Sequence, residues 1–292
     1  MTRHATRLET ISVEVPEDAL EAWEAAIAAA CGTVDFFREA DAGPWRVSGV
    51  KVVGEKEAEL AAAMALASAV TGLSPALHRA DVPAEGWLAR TRAAFPEQLV
   101  GRRIALRGTH VEGPPTPGRV TLLLDAGVAF GSGEHGSTRG CLVAFERLAH
   151  TRPRRILDMG TGSGVLAMAA AKLLRRRVLA TDIEPWSVRT TRENAARNGI
   201  TPLLRAIRAD GWQDARVRRA APYDLIFANI LARPLCLMAR HLATHLAPGG
   251  HAILAGLLAT QARMVLAAHR RVGLRLLRAH PQGAWTTLVL RR

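Results

Sequence analysis

From residue 119 onward, short apolar runs alternate with amphipathic segments, and this alternation predicts strands separated by helices. The predicted strands lie at 156–158, 178–182, 203–209, 223–229, 251–256, 274–280 and 285–291. Helices that cross from one strand to the next require the strands to be parallel. The turn at 281–283 instead joins the last two strands as an antiparallel hairpin at the sheet edge. The pattern therefore predicts an α/β domain with a seven-stranded sheet.

The first 80 residues follow a different pattern, in which β-rich alternating runs flank two helical segments. The predicted order is a strand at 10–15, a helix from 16 to about 31, strands at 34–38 and 45–53, a helix at 55–70 and a strand at 76–82. This order is the split β-α-β arrangement of ferredoxin-like α+β domains. The chain is thus predicted to begin with a small α+β domain.

The regular pattern fades between residues 81 and 118, where we predict a linker with one short helix at 87–95. A Pro-Pro-Thr-Pro-Gly run at 114–118 can continue neither a helix nor a central strand. The predicted domains are therefore 1–80, the linker 81–118, and 119–292. An uncharged stretch at 60–78 is mostly alanine, which is too weakly apolar to hold it in lipid, so we predict a buried helix and no membrane association.

Composition places the chain among globular proteins, with 49% hydrophobic and 22% charged residues. Three widely spaced cysteines, Cys31, Cys141 and Cys236, argue against a disulfide framework and favour a reducing cytoplasm. No apolar run follows the first residues, so no signal peptide is expected. A cytoplasmic protein of two domains is the expectation.

The net charge of +13 is distributed unevenly. Residues 1–80 contain 7 Lys and Arg against 12 Asp and Glu, so the basic excess lies entirely in the remainder. Aromatic residues make up only 4% of the chain and do not interleave with the arginines as stacking platforms for bases would. The sequence therefore favours a solvated basic surface, and no dedicated nucleic-acid site is predicted.

One segment predicts a cofactor site, because an apolar strand ends in Asp158 and a Gly-x-Gly-x-Gly loop at 160–164 opens onto a helix. Dinucleotide folds favour Gly-x-Gly-x-x-Gly, whereas here the third glycine comes one residue early. A carboxylate at Asp158 repels a diphosphate and suits a cationic amino-acid group. Asp182 ends the next strand, close to the offset of about 20 residues at which a carboxylate binds ribose hydroxyls. A ribose joined to a cationic amino acid indicates S-adenosylmethionine.

Three further segments, at 129–138, 182–185 and 228–234, complete a set of motifs. Together with the glycine loop they resemble the bacterial ribosomal protein L11 methyltransferase family over nearly the whole chain. The resemblance implies a class I methyltransferase domain, with a Rossmann-like seven-stranded sheet, that uses S-adenosylmethionine to methylate amino groups of one large-subunit ribosomal protein. It also implies that residues 1–80 form a substrate-recognition domain and that the protein partner is L11, free or on the ribosome.

By motif position, the resemblance implies cofactor contacts from Thr138, Gly160, Asp182 and Asn229. Each residue type suits that role: the glycine permits close approach of the backbone, the carboxylate accepts hydrogen bonds from two hydroxyls, and the amide offers one acceptor and two donors. We further predict that Asn229 acts in catalysis by orienting the amine. Thr138 is expected either to cap a helix beginning near Arg139 or to reach the methionine end of the cofactor.

Several residues keep two interpretations at this stage. Asp158 either anchors the glycine loop through backbone N–H groups or contacts the methionine amino group. His135 either holds its loop or contacts a ligand, and the chain departs from the family pattern at Glu134 and Gly136. Cys141 and Cys236 have apolar neighbours and are predicted to pack in the core. His241 and His245 have zinc-like spacing, but no third ligand is evident and no metal site is predicted.

Other functions compatible with these motifs are methylation of a different protein lysine or of an RNA base nitrogen. More distant alternatives are a non-enzymatic RNA-binding protein and a nicotinamide-dependent oxidoreductase. The presence of Gly160, Asp182 and Asn229 weighs against a non-enzymatic RNA-binding protein. The glycine spacing weighs against a nicotinamide-dependent oxidoreductase.

Overall fold

The computed structural model describes residues 8–31, 33–37, 43–81, 97–124 and 136–292. The chain divides into two compact units, Met1–Arg90 and Thr91–Arg292. In the described part of the chain, no helix is both long and apolar enough to span a membrane.

The first unit is a four-stranded antiparallel sheet with two helices. Its elements are β1 (Leu8–Val15), α1 (Leu20–Ala28), β2 (Thr33–Phe37), β3 (Trp45–Val52), α2 (Glu57–Thr71) and β4 (His78–Asp81). The strand order β2-β3-β1-β4 is that of a ferredoxin-like domain, so the predicted topology is confirmed.

Alternation along the strands explains the core of the first unit. Ile11 and Val13 on β1 are fully buried, and they share the interior with Trp23 on α1 and Val47 on β3. The predicted burial of α2 is wrong, because within the unit only its Leu60 and Ala67 are buried. Alanine is small enough to be tolerated on either face of a helix, so an alanine-rich pattern does not reveal which side is covered.

The second unit contains the predicted seven-stranded sheet. Its strands are β8 (Ile156–Met159), β9 (Val178–Asp182), β10 (Leu204–Arg208), β11 (Tyr223–Asn229), β12 (Leu246–Leu258), β13 (Arg275–Gln282) and β14 (Trp285–Arg291). The order is β10-β9-β8-β11-β12-β14-β13, and the pairs are parallel except at β12-β14 and β13-β14. The predicted fold class is therefore confirmed.

Helices cover both faces of this sheet. They are α3 (Gly136–Leu148), α4 (Val165–Leu174), α5 (Pro185–Arg197), α6 (Ala215–Arg219), α7 (Ala232–His245) and α8 (Ala262–Arg270). Two separate apolar clusters form the core, one with α3 and α4 and the other with α7 and α8. Central strands such as β8 and β11 bury residues toward both clusters, which is why they are continuous apolar runs in the sequence.

The second unit also contains part of the predicted linker, so that prediction is wrong from residue 97 onward. A three-stranded sheet joins β5 (Gln98–Val100), β6 (Ile104–Gly108) and β7 (Val120–Leu124), and its apolar residues belong to the α3-α4 core. The chain leading into the Pro-rich run wraps around Arg107, which is buried and donates hydrogen bonds of 2.6–3.0 Å to the carbonyls of residues 111–114. The helix predicted at 87–95 lies outside the described residues.

Candidate functional site

The predicted site residues lie at the carboxyl ends of three adjacent parallel strands. Met159 on β8 is aligned with Thr181 on β9 and with Ala228 on β11. Gly160, Asp182 and Asn229 each follow one of these aligned residues by one position. The sheet register therefore brings the three to the same edge, where ligands bind in open α/β sheets.

The glycine loop between β8 and α4 is tight and leaves no room for side chains at two of its glycines. Gly160, Gly162 and Gly164 have φ of 72°, 54° and 85°, the left-handed region that favours glycine. A Cβ atom on Gly160 would lie 2.3 Å from Cγ2 of Ile230, the residue after Asn229. The loop therefore packs directly against the end of β11.

Most backbone N–H groups of this loop are already bonded within the protein. Those of Gly160 and Thr161 each donate to the Thr181 carbonyl at 2.9 Å, and that of Gly164 donates to the Thr161 carbonyl at 2.8 Å. The Gly162 N–H donates to Asp182 Oδ2 at 2.9 Å. A diphosphate needs free N–H groups here, so this loop does not suit a dinucleotide.

Asp182 is half-buried and joins two backbone segments through its carboxylate. Oδ2 accepts the Gly162 N–H, and Oδ1 accepts the Glu184 N–H at 3.0 Å. Each carboxylate oxygen keeps a second lone pair, so the group can still accept two hydroxyl donors side by side. This arrangement fits the vicinal hydroxyls of a ribose.

Asn229 and Thr138 are in contact although 91 residues separate them. Asn229 Nδ2 donates to Thr138 Oγ1 at 3.3 Å, and Thr138 is fully buried. Asn229 Oδ1 is buried without a hydrogen-bond partner among the described residues. Because α3 already includes Gly136, Thr138 lies inside the first turn and does not cap the helix, so the capping prediction is wrong.

Asp158 anchors the loop from beneath. Its Oδ2 accepts the Thr161 hydroxyl at 2.7 Å and the Ala167 N–H at 3.1 Å, which supports the first of the two interpretations given above. Its Oδ1 is buried without a partner in the described part of the chain. Burial raises the pKa of Asp158 from 3.8 to about 7, despite the lowering effect of its two hydrogen bonds.

This shift predicts a specific dependence of stability on pH. An unfolded Asp158 ionises near pH 3.8 and the folded one near pH 7, so its contribution to the free energy of unfolding is full below pH 3.8 and is lost as pH rises to about 7. We expect wild type to lose about 2 kcal/mol relative to Asp158→Asn between pH 5 and 7. Urea unfolding of both ligand-free proteins across this range measures it, and parallel profiles would contradict the shift.

Sequence reasoning missed Asp210, which lies two residues after the end of β10. The Ala209 N–H donates to the Asp182 carbonyl at 2.9 Å, so Asp210 stands beside the Asp182 segment, with its side chain exposed. A carboxylate here can accept a hydrogen bond from an amino group of a base whose ribose Asp182 holds. The signal was present in the sequence, because Asp210 follows a predicted strand just as the glycine loop does.

The other candidate site residues from the sequence either have structural roles or lie outside the described residues. Cys141 is buried and Cys236 is half-buried, and burial raises the pKa of both thiols, so the packing prediction is confirmed. His245 stacks on Trp212 with ring centroids 4.7 Å apart and hydrogen-bonds the His241 carbonyl at 2.7 Å. Within the described ranges, no cluster of three potential ligands suits a metal ion. Glu134 and His135 fall among the residues not described.

The chain departs from the family pattern at Glu134 and Gly136, and of these two only Gly136 is among the described residues. Gly136 has a packing role. A Cβ atom at this position would lie 3.0 Å from both the Gln282 carbonyl oxygen and the Trp285 ring. The absence of a side chain thus lets α3 approach the β13-β14 hairpin.

The chemical groups at this site fit S-adenosylmethionine. Asp182 offers paired acceptors for ribose hydroxyls, the glycine loop brings backbone within reach, and residues 158–164 contain no lysine or arginine that would bind a phosphate. The unpartnered Asn229 Oδ1 adds negative potential at this edge, which is complementary to a cation.

Comparison with known proteins agrees with this site. The sequence model described as "Ribosomal protein L11 methyltransferase (PrmA)" matches residues 16–292. A ribosomal protein L11 methyltransferase of Rhizobium leguminosarum bv. trifolii is 40% identical over 260 residues, which cover 89% of this chain and 88% of that protein. One of Rhizobium meliloti is 41% identical over 249 residues, 85% of either chain.

A solved structure supports the same assignment. The crystal structure of a ribosomal protein L11 methylase from Lactobacillus delbrueckii subsp. bulgaricus superposes with a TM-score of 0.61 at 32% identity. The match covers 67% of this chain and 98% of that one. The chain therefore belongs to the ribosomal protein L11 methyltransferase family.

Proposed function

We propose that this protein transfers methyl groups from S-adenosylmethionine to amino groups of ribosomal protein L11, on lysine side chains, on the N-terminal amine or on both. The observation that carries the proposal is the extent of the family match. It spans residues 16–292 and so includes the first unit as well as the sheet with the candidate site. A similarity confined to the sheet would indicate a methyltransferase without indicating its substrate.

The cofactor supplies an electrophilic methyl group on a sulfonium. Gly160 and Asp182 hold its nucleoside end in this proposal, and Thr138 and Asn229 lie beside its methionine end. The loop amides are already bonded to the protein, so the loop holds its shape before the cofactor arrives. That preorganisation limits the entropy lost on binding.

The transfer needs an uncharged amine aligned with the methyl carbon. Asn229 Oδ1 is a buried acceptor with no partner among the described residues, and we propose that it accepts an N–H from the amine and so directs the nitrogen lone pair. Lysine has a reference pKa of roughly 10.4. Entry into a water-poor site beside the buried Ala228 favours loss of the proton before transfer.

We further propose that the first unit captures L11, either free or on the ribosome. Residues 1–80 contain none of the site residues and have a net negative charge, unlike the basic remainder of the chain. We also propose that the reaction takes place in the cytoplasm, because the proposed substrate is a ribosomal protein.

The test is a labelling experiment with a mapped product. Purified protein, labelled S-adenosylmethionine and purified L11 are incubated together, and mass spectrometry locates the label. We expect methylated amino groups on L11 and none on an equimolar mixture of other ribosomal proteins. Label on another protein or on added ribosomal RNA would replace L11 with one of the alternative substrates.

A truncated protein that starts at residue 81 tests the role of the first unit. We expect it to bind S-adenosylmethionine with unchanged Kd, because Asp182 and its neighbours are all retained, and to label L11 at least about 10²-fold more slowly. Equal labelling by the truncated and full-length proteins at low L11 concentration would exclude a capture role.

A further inference from the structure

Exposed arginines line the amino-terminal edge of the seven-stranded sheet, opposite the candidate site. One residue of each strand lies on a single row at this edge: Leu204, Val178, Ile156, Leu225, His251, Arg291 and Arg275. The exposed arginines on this row or in the turns that lead into it include a group of nine. These residues, the arginine edge, are Arg152, Arg154, Arg155, Arg175, Arg176, Arg177, Arg219, Arg275 and Arg291.

The arginine edge is a stripe across the sheet, in which β12 contributes His251 instead of an arginine. It extends from the turn before β9 to the start of β13, across five intervals between neighbouring strands. Strands in a sheet lie about 4.8 Å apart, so the stripe is roughly 24 Å long.

Within the part of the chain that the structure describes, no carboxylate side chain forms an ion pair with this stripe. The nearby Asp224 uses Oδ2 to accept the backbone N–H groups of Arg154 and Arg155, at 2.8 and 2.9 Å, and so holds the turn in place. The positive groups therefore face solvent together.

The titratable groups packed against the edge respond to the same positive potential. The pKa of His251 is lowered, first by burial and then by Arg291 and His150. The pKa of Lys172 is lowered, first by burial and then by Arg175. Both effects agree with an excess of positive charge at this edge.

Two arginines occupy backbone conformations that favour glycine. Arg152 has φ of 48° and Arg175 has φ of 54°, and Arg175 ends α4 in the position where helices commonly place glycine. A side chain in this region costs roughly 1–2 kcal/mol. Glycine at these two positions would relieve the strain, so the edge has arginine there at a cost in stability.

We propose that the arginine edge binds the phosphate backbone of double-helical RNA. Planar guanidinium groups form paired hydrogen bonds with phosphate oxygens, and a row of them neutralises successive phosphates. The turns at 149–155, 174–177 and 218–222 contain no Phe, Tyr or Trp, which favours a duplex over stacked single-stranded bases. None of the exposed large apolar side chains of the described residues lies in these turns, so nothing there inserts into lipid.

The choice of RNA rests on the proposed function, because the proposed substrate is a protein that assembles with ribosomal RNA. The stripe lies at the sheet edge opposite Asp182 and Asn229, so RNA and cofactor occupy different surfaces of the second unit. RNA held there leaves the carboxyl edge free for methyl transfer.

The experiment compares two full-length triple variants that lose equal charge. The edge variant is Arg175→Gly, Arg176→Gln and Arg177→Gln, in which glycine suits the left-handed position. The control variant replaces exposed arginines outside the edge: Arg240→Gln, Arg263→Gln and Arg278→Gln. Fluorescence anisotropy with a labelled 20-base-pair RNA duplex measures Kd between 50 and 200 mM salt.

We expect the edge variant to bind at least about tenfold more weakly at 100 mM salt, with a shallower dependence on salt, and the control variant to stay within about threefold of wild type. Both should methylate free L11 at the wild-type rate. Equal losses in the two variants, or no RNA binding by wild type at 100 mM salt, would overturn the proposal. So would equally tight binding of poly-glutamate or of phosphatidylserine vesicles. Failure of wild type to label L11 is a separate result, which removes the proposed function and leaves the RNA measurement standing.

Discussion

Replacing Asn229 with alanine is expected to lower kcat for L11 methylation by about 10²–10³-fold, while Kd for S-adenosylmethionine changes less than about fivefold. The large effect follows from the buried Oδ1, which has no partner among the described residues and is therefore available to the amine. Loss of one preorganised polar contact to the reacting centre commonly costs this much in kcat. Single-turnover methylation and calorimetry with the cofactor measure the two quantities separately.

Two further variants separate positioning of the amine from damage to the fold. Thr138→Ala removes the oxygen that accepts the Asn229 Nδ2 donor, and we expect an intermediate loss of kcat because the amide then rotates more freely. Asn198→Ala is the matched control, because this buried amide bonds both backbone groups of Leu123, at 2.9 and 2.7 Å, away from the candidate site. It should lower stability and leave kcat intact. Near wild-type turnover by Asn229→Ala would remove this residue from catalysis.

The strands of the large sheet could be predicted because nearly every one of them is a distinct apolar run. The β11 bounds match the prediction at both ends, and β8 and β10 differ by a residue or two. β12 is longer than predicted, since it begins at Leu246 and includes Pro248, Gly249 and Gly250. Those residues normally indicate a turn, and here they form an irregularity within the strand: the pairing with β11 shifts register across them, and Gly249 has φ of 73°.

The linker error has a comparable cause. A Pro-rich run looks open in a sequence, because local propensity does not show what the run packs around. Here the guanidinium of Arg107 donates to the carbonyls of residues 111–114, which lead into the Pro-rich run and include its first residue. A single buried arginine thus replaces the ladder hydrogen bonds of a regular element.

Those residues of the candidate site that end or directly follow a strand could be predicted from the sequence. Gly160, Asp182 and Asn229 share that feature, and parallel register then brings them together. The contact of Asn229 with Thr138 was not accessible, because it depends on where α3 packs. The hydrogen bonds from the Gly160 and Thr161 N–H groups to the Thr181 carbonyl could not be predicted either, because backbone hydrogen bonds do not depend on the residue type.

Replacing Asp182 with alanine is expected to weaken S-adenosylmethionine binding by about 10²-fold or more. The carboxylate has two roles that the variant loses together: it offers acceptors to the ribose hydroxyls, and it fixes Gly162 and Glu184 through their N–H groups. Hydrogen bonds to a charged group contribute roughly 1.5–3 kcal/mol each, so two lost hydroxyl contacts account for a loss of this size. Calorimetric titration of the purified variant with the cofactor provides the measurement.

Asp224 gives the matched control, because its carboxylate also accepts two backbone N–H groups next to a strand, those of Arg154 and Arg155, but at the opposite edge of the sheet. Asp224→Ala should lose comparable stability in urea unfolding and keep the wild-type Kd for the cofactor. Asp182→Asn keeps one acceptor oxygen and should fall between wild type and Asp182→Ala. If Asp182→Ala and Asp224→Ala bound the cofactor equally well, Asp182 would be a structural residue, and the ribose would have to be held elsewhere along the carboxyl edge.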